Sequence, residues 1–169
     1  AVLESLTGGL LHATDLVTLL LWPDVGAIVI GVYGGVPTMP SGYIIDANAF
    51  ALTGTTNWTV YNTLSLTLTT IEDTVFWCHC NMNGYGAAAA NAYAAIAIFI
   101  DGVQSGQAMF IGTHIASLYL PVTISQRSAA SYAAGAHTID VRVKVYNAAY
   151  TWTGGGGSLS AVAEPSNPR

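Results

Sequence analysis

Residues 138–146 read Thr138-Ile139-Asp140-Val141-Arg142-Val143-Lys144-Val145-Tyr146, a strict alternation of polar and apolar side chains. Successive side chains of a strand point to opposite faces, so this pattern predicts a half-buried strand with Ile139, Val141, Val143 and Val145 turned inward. One such strand needs another sheet to cover its apolar face, and the chain supplies more of the same texture. Short β-rich runs fall at 27–33, 43–45, 58–61 and 64–69, where Leu64, Leu66 and Leu68 are expected in the core. Further runs follow at 74–82, 107–111, 116–125 and 158–162, separated by turn residues. The strand at 74–82 is predicted to end in an Asn83-Gly84 turn, and Asp101-Gly102 marks a hairpin. Before it, Ala95-Ile96-Ala97-Ile98-Phe99-Ile100 alternates small with large. We assign a strand from about Ala92 to Ile100, with a helix over 87–99 as the alternative that the alanine run allows. Eight to ten short strands without a long amphipathic helix predict an all-β, antiparallel sandwich, and 169 residues suit one domain with a sizeable core.

The N-terminal segment differs in texture. Leu10, Leu11, Leu16, Leu19, Leu20 and Trp22 crowd into thirteen residues, behind a Gly8-Gly9 joint. Thr14-Asp15 would cap a short helix that Pro23 stops; an extended arm or a buried strand fits the same residues. We read residues 1–24 as an arm or anchor and 25–169 as the sandwich.

Only 8% of residues are charged, against roughly 25% in ordinary soluble proteins, while 52% are hydrophobic and the mean hydropathy is +0.49. Such a chain exposes Thr, Ser, Asn, Gly and Ala, or buries apolar surface against other chains. With four basic residues and a net charge of −5, it lacks the cations that phosphate neutralisation requires, so no nucleic-acid partner is expected. No apolar run approaches the roughly 20 residues that cross a bilayer as a helix, so no membrane partner is expected either. The opening Ala-Val-Leu carries no basic region typical of a secretory signal; it fits synthesis in a cytoplasm, or equally a leader already removed.

Few residues invite chemistry. Cys78-His79-Cys80 offers zinc-type ligands, but no second Cys pair exists and alternation puts His79 opposite both sulfurs, which predicts two free, buried thiols. Asp46, Glu72, Asp73 and Asp101 sit in turn contexts rather than as a glycosidase pair, and no nucleophile elbow surrounds any serine. His137 is expected to hydrogen-bond the backbone of its own turn. The run Gly154-Gly155-Gly156-Gly157 lacks the Lys and Ser/Thr of a phosphate loop and is read as a flexible hairpin tip. Beside it, Tyr150 and Trp152, with Tyr146, are candidates for an exposed aromatic patch that stacks on sugars; cross-strand pairing or subunit contact would use them equally well. No catalytic residue, metal or cofactor is expected.

Residues 95–103 (AIAIFIDGV) resemble the strand-plus-hairpin of phage virion proteins with a tumour-necrosis-factor/C1q-like jelly roll. Residues 133–143 (AAGAHTIDVRV) and the closing Ser158-Leu159-Ser160-Ala161-Val162 are similar to the penultimate and terminal strands of the same group. The resemblance covers residues 64–163. It implies a homotrimer with apolar, aromatic subunit interfaces, located in the virion and made in the host cytoplasm, that serves as a capsid decoration or minor capsid protein. Its partner would be the major capsid protein or another virion protein. A receptor- or glycan-binding fibre tip, or a secreted adhesion or filament subunit, is the alternative. On this reading Leu10, Leu11, Leu16, Leu19, Leu20 and Trp22 form the anchor.

Overall fold

A computed structural model describes residues 16–22, 26–33, 39–53, 57–87, 92–113, 115, 118–147 and 149–166; for 16–22, 26–33, 84, 85 and 118 the description is of the backbone. All regular structure among these residues is strand: β1 (Leu16–Trp22), β2 (Gly26–Tyr33), β3 (Ser41–Asp46), β4 (Phe50–Thr53), β5 (Thr59–Thr70), β6 (Thr74–Ala87), β7 (Ala92–Ile100), β8 (Val103–Thr113), β9 (Leu118–Arg127), β10 (Gly135–Val145), β11 (Thr151–Gly154) and β12 (Gly157–Pro165).

The chain divides into two compact units between Thr38 and Met39. In the first, β1 pairs antiparallel with β2, with a register shift between Thr18 and Leu19. Residues 16–22 are therefore a strand, not the short helix that the Thr14-Asp15 cap and Pro23 suggested. Val17 and Thr18 are β-branched and the run is only seven residues long, so pairing prevails over helix. The boundary expected at 24/25 falls inside this hairpin.

The second unit is a sandwich. One sheet has the order β5-β10-β7-β8. In the other, β6 carries β12 and then β3 on one edge and β9 on the opposite edge, with β11 and β4 extending it. In chain order β3, β6, β9 and β12 fall in one sheet and β5, β7, β8 and β10 in the other, so that most connections cross between sheets. The orders β3-β12-β6-β9 and β5-β10-β7-β8 make this the antiparallel jelly roll that the sequence implied.

Inward positions alternate as the strands require. Ile96, Ile98 and Ile100 of β7 and Ile139, Val141, Val143 and Val145 of β10 are fully buried, against Phe76, Met82 and Leu159 of the facing sheet. Each such side chain contributes about 1.5–3 kcal/mol relative to exposure. Leu64 and Leu68 are buried as expected, and Leu66 packs against the core from a partly buried position.

Two turn expectations fail. Asn83-Gly84 does not end its strand: β6 runs on to Ala87, and the register slips between Met82 and Tyr85. The slip is against β9; on its other edge β6 keeps register past the glycine run, with Met82 opposite Gly157 and Tyr85 opposite Gly154. Both β11 and β12 pair with the same edge of β6, so residues 154–157 are a break within one strand line, not a flexible hairpin tip. The Asn83 N–H donates to the Gly156 carbonyl at 2.8 Å and the Gly155 N–H to the Asn83 carbonyl at 2.9 Å. A Cβ on Gly155 would lie 2.6 Å from the Asn83 oxygen, and one on Gly156 would overlap the Asp46 carbonyl oxygen. Close backbone approach, not flexibility, requires these glycines.

Candidate functional site

The groups that sequence marked as reactive are used structurally. Cys78 and Cys80 point into the core and burial pushes both thiols up to about 12, far from the thiolate needed for nucleophilic or metal chemistry. His79 faces outward, as alternation requires. It pairs with the Ser125 hydroxyl at 2.6 Å, but among the described residues no carboxylate hydrogen-bonds its ring to complete a triad. Conversely, His137 has its carboxylate and no nucleophile. Its Nδ1 meets Asp101 Oδ2 at 2.7 Å, and its Nε2 meets the Ala133 carbonyl at 2.7 Å. Both ring nitrogens thus face acceptors. Burial works against the imidazolium, yet the Asp101 hydrogen bond, the Ala133 carbonyl and the Asp101 charge outweigh it and raise the His137 pKa. Asp101, at φ 51° in the β7–β8 hairpin, also accepts the Thr138 N–H at 2.8 Å. The pair clasps the hairpin to the start of β10.

Asp46 ends β3 and is equally committed. It accepts the Thr63 hydroxyl at 2.7 Å, the Asn48 N–H at 2.8 Å, the Thr63 N–H at 3.0 Å and the Asn48 amide at 2.7 Å. These bonds hold its carboxyl down at about 2. It joins the end of β3 to the start of β5 and carries no sign of acid–base chemistry. No group of three or more His, Cys, Asp or Glu that could hold a metal occurs among the described residues.

The candidate aromatic patch is not where the sequence put it. Trp152 is 0% exposed, in the core, because β11 is hydrogen-bonded on both sides and alternation turns its Thr151 and Thr153 away from the core instead. Tyr150 is partly buried against the same core. Of the anchor candidates, Leu16, Leu19, Leu20 and Trp22 lie on β1, while Leu10 and Leu11 lie outside the described residues.

Exposed apolar surface gathers instead on the sheets' outward faces. On the β3-β12-β6-β9 face the register aligns Tyr43, Ser160, His79 and Ser125 in one row, and Ile45, Ser158, Asn81 and Thr123 in the next. A third row carries Ser41, Val162, Trp77 and Arg127. Tyr43 is 65% exposed, Ile45 63% and Trp77 48%. Between them stand serines, and the Trp77 Nε1–H is already satisfied by Glu164 at 2.7 Å. The acidic and basic side chains in these rows and beside them are His79, Arg127 and Glu164. Sequence reasoning missed this face because Tyr43 and Ile45 sit in a run of three apolar residues in which parity is not legible. The opposite face, on β5-β10-β7-β8, carries Trp58, Phe110, Tyr146 and Lys144 around a groove.

No family model and no curated protein matches the sequence. Among solved structures, the chain is similar to the CBM36-1 domain of a multidomain xylanase from the hindgut metagenome of Trinervitermes trinervoides, with 14% identity, 86% of this chain and 88% of that one covered, and a TM-score of 0.38. It is also similar to the infectious bursal disease virus VP2 subviral particle, with 8% identity over 88% of this chain but only 37% of that one, and a TM-score of 0.44. A family 35 carbohydrate-binding module from Clostridium thermocellum matches at 12% identity over 69% of this chain and 90% of that one, with a TM-score of 0.33. Likenesses this distant assign no ligand and no assembly to this chain.

Proposed function

We propose that this protein is a non-enzymatic structural module of a virion, a homotrimer that decorates or reinforces the capsid through contacts with the major capsid protein or a neighbouring virion protein. The observation that carries the reading is the outward face of β3-β12-β6-β9, where Tyr43, Ile45, Trp77 and Val162 are solvent-exposed. A second copy of the chain is its occupant: apart from His79, Arg127 and Glu164 the polar side chains of the face are neutral Ser, Thr and Asn, and Glu164 already accepts the Trp77 Nε1–H, so association desolvates few charges. Homotrimers are also what the resemblance of residues 64–163 implies, and mutual burial accounts for a composition with only 8% charged residues.

The hairpin of β1 and β2 is the proposed attachment. An isolated two-stranded hairpin is marginal in water and gains stability by packing on a further surface. Three such hairpins on one trimer would bind a symmetric shell multivalently, so that weak single contacts sum to tight attachment. Imaging of intact particles tests the reading. Density for threefold-clustered copies spread over the shell, with the β3 face toward the local axis, is the expected result; single copies at a tail or fibre tip would overturn it.

A further inference from the structure

The groove on the opposite face is built by an irregularity in the edge strand β8. Ile96 of β7 stands opposite Met109, but Ile98 stands opposite Ser105, so two steps on β7 correspond to four on β8. Gly106, Gln107 and Ala108 are therefore lifted out as a bulge beside Ala97. Gly106 takes φ +72°, and a Cβ there would fall 2.5 Å from Gln126 Oε1. The bulge is tied down on two sides: the Gln104 amide donates to the Gly106 carbonyl at 3.0 Å, and the Gln126 amide donates to the Ser105 carbonyl. Bulges of this kind re-aim side chains and recur next to functional sites.

Across from the bulge, the outward side of β7 carries Ala95 and Ala97 between Tyr93 and Phe99, and both alanines are covered by their neighbours. Their neighbours are tall. Lys144 and Phe110 flank Ala95 in register, and Trp58, next to β5, stands beyond Lys144. The Lys144 ammonium lies 4.9 Å from the ring centroids of both Trp58 and Tyr146. Phe110 stacks on Tyr146 at 5.9 Å with a 28° tilt while remaining 70% exposed. The open groove bordered by these groups and by Gln104, Gly106, Gln107 and Ala108 has a volume of about 480 Å³, within the range of small-ligand sites.

Charge singles out one group in this groove. Arg142 is neutralised by Asp140, at 2.6 and 3.0 Å. Arg127 lies on the other face, opposite Trp77. Lys144 forms no ion pair among the described residues, although the protein carries a net charge of −5. The groove thus offers aromatic plates, two side-chain amides and one uncompensated cation. That set matches a ring with an apolar C–H face, hydroxyls around it and one carboxylate. We propose that the groove binds an acidic sugar unit, its ring against Phe110 and Tyr146, its hydroxyls on Gln104 and Gln107, and its carboxylate on Lys144. A single cation does not suit a polyphosphate or nucleic acid. The site is independent of the assembly face, being on the other sheet.

Titration of the full-length protein with the methyl glycosides of glucuronic, galacturonic and N-acetylneuraminic acid, followed by amide NMR, tests the proposal. At least one should shift resonances of residues 104–110 and 144–146 saturably in the millimolar range, and its neutral counterpart should bind about tenfold more weakly for want of the charge-assisted contact. Lys144→Met should lose that preference and Lys144→Arg keep it, and Phe110→Ala should weaken acidic and neutral sugars together. Both positions are on the surface, and unchanged spectra away from the groove verify folding. Failure of all three acidic sugars to bind, equal affinity for the neutral forms, or binding undiminished in Phe110→Ala would overturn the proposal.

Discussion

The two outward faces of this sandwich obey the same alternation and yet place their large side chains differently. On β3-β12-β6-β9, large and small residues are interspersed along each row, as in Tyr43, Ser160, His79 and Ser125, and the exposed Tyr43, Ile45 and Trp77 offer apolar surface to a partner. On β5-β10-β7-β8, Lys144 and Phe110 rise on either side of the covered Ala95 and, with Trp58, Tyr146 and the β8 bulge, line a groove. Alternation decides which side chains face out. The distribution of size across neighbouring strands decides whether they make a contact surface or a cavity.

Tyr146 stands on the groove face, but Trp152 belongs to the core and to neither face, and its replacement should have the largest effect. Trp152→Ala should destabilise the fold by about 3–5 kcal/mol, the cost of deleting a buried aromatic, seen as a lower denaturation midpoint in urea. A loss near zero would return Trp152 to the surface as a binding residue.

A smaller effect probes how the two sheets are held together. His137, on β10, meets Phe76 and Tyr132 edge-on at 5.4 and 5.5 Å, so the clasp with Asp101 also braces one sheet against the other. The His137 pKa is raised, so its contribution is complete below the ordinary value near 6.5 and is lost as pH rises through the folded-state value. Burial acts to raise the Asp101 pKa, but the His137 and Thr138 hydrogen bonds and the His137 charge outweigh it and lower it; that contribution is present above the ordinary value near 3.8 and is lost as pH falls through the lowered one. Melting temperature should therefore be highest in mildly acidic solution and decline as pH rises above the ordinary histidine value near 6.5. In His137→Gln the alkaline decline should flatten; an identical pH profile would mean that the clasp does not contribute.

Much of the jelly roll was legible in the sequence where one strand decides its own state. The alternation at 138–146, the Leu64-Leu66-Leu68 stripe and the Asp101-Gly102 hairpin each carry a local signal, and alternation placed Cys78 and Cys80 inside and His79 outside. What was not legible depends on the neighbouring strand. Asn83-Gly84 has the composition of a turn but is drawn through by pairing on both edges of β6. Residues 154–157 have the composition of a flexible tip but are pressed against Asn83 and Asp46. Trp152 is turned inward by strands β4 and β6, which its own segment does not announce. The groove was invisible for the same reason, since a bulge in β8, Lys144 of β10 and Trp58 beside β5 line it jointly.

The central claim is that the β3-β12-β6-β9 face is covered by further copies of the chain, and sedimentation equilibrium tests it directly. At micromolar concentration the wild-type protein should have three times the chain mass of 17.5 kDa, and the double substitution Tyr43→Asp with Ile45→Lys should reduce it to one chain while the β-sheet circular dichroism is unchanged. A wild-type protein that sediments as a monomer, or a double variant that remains trimeric, would contradict the account.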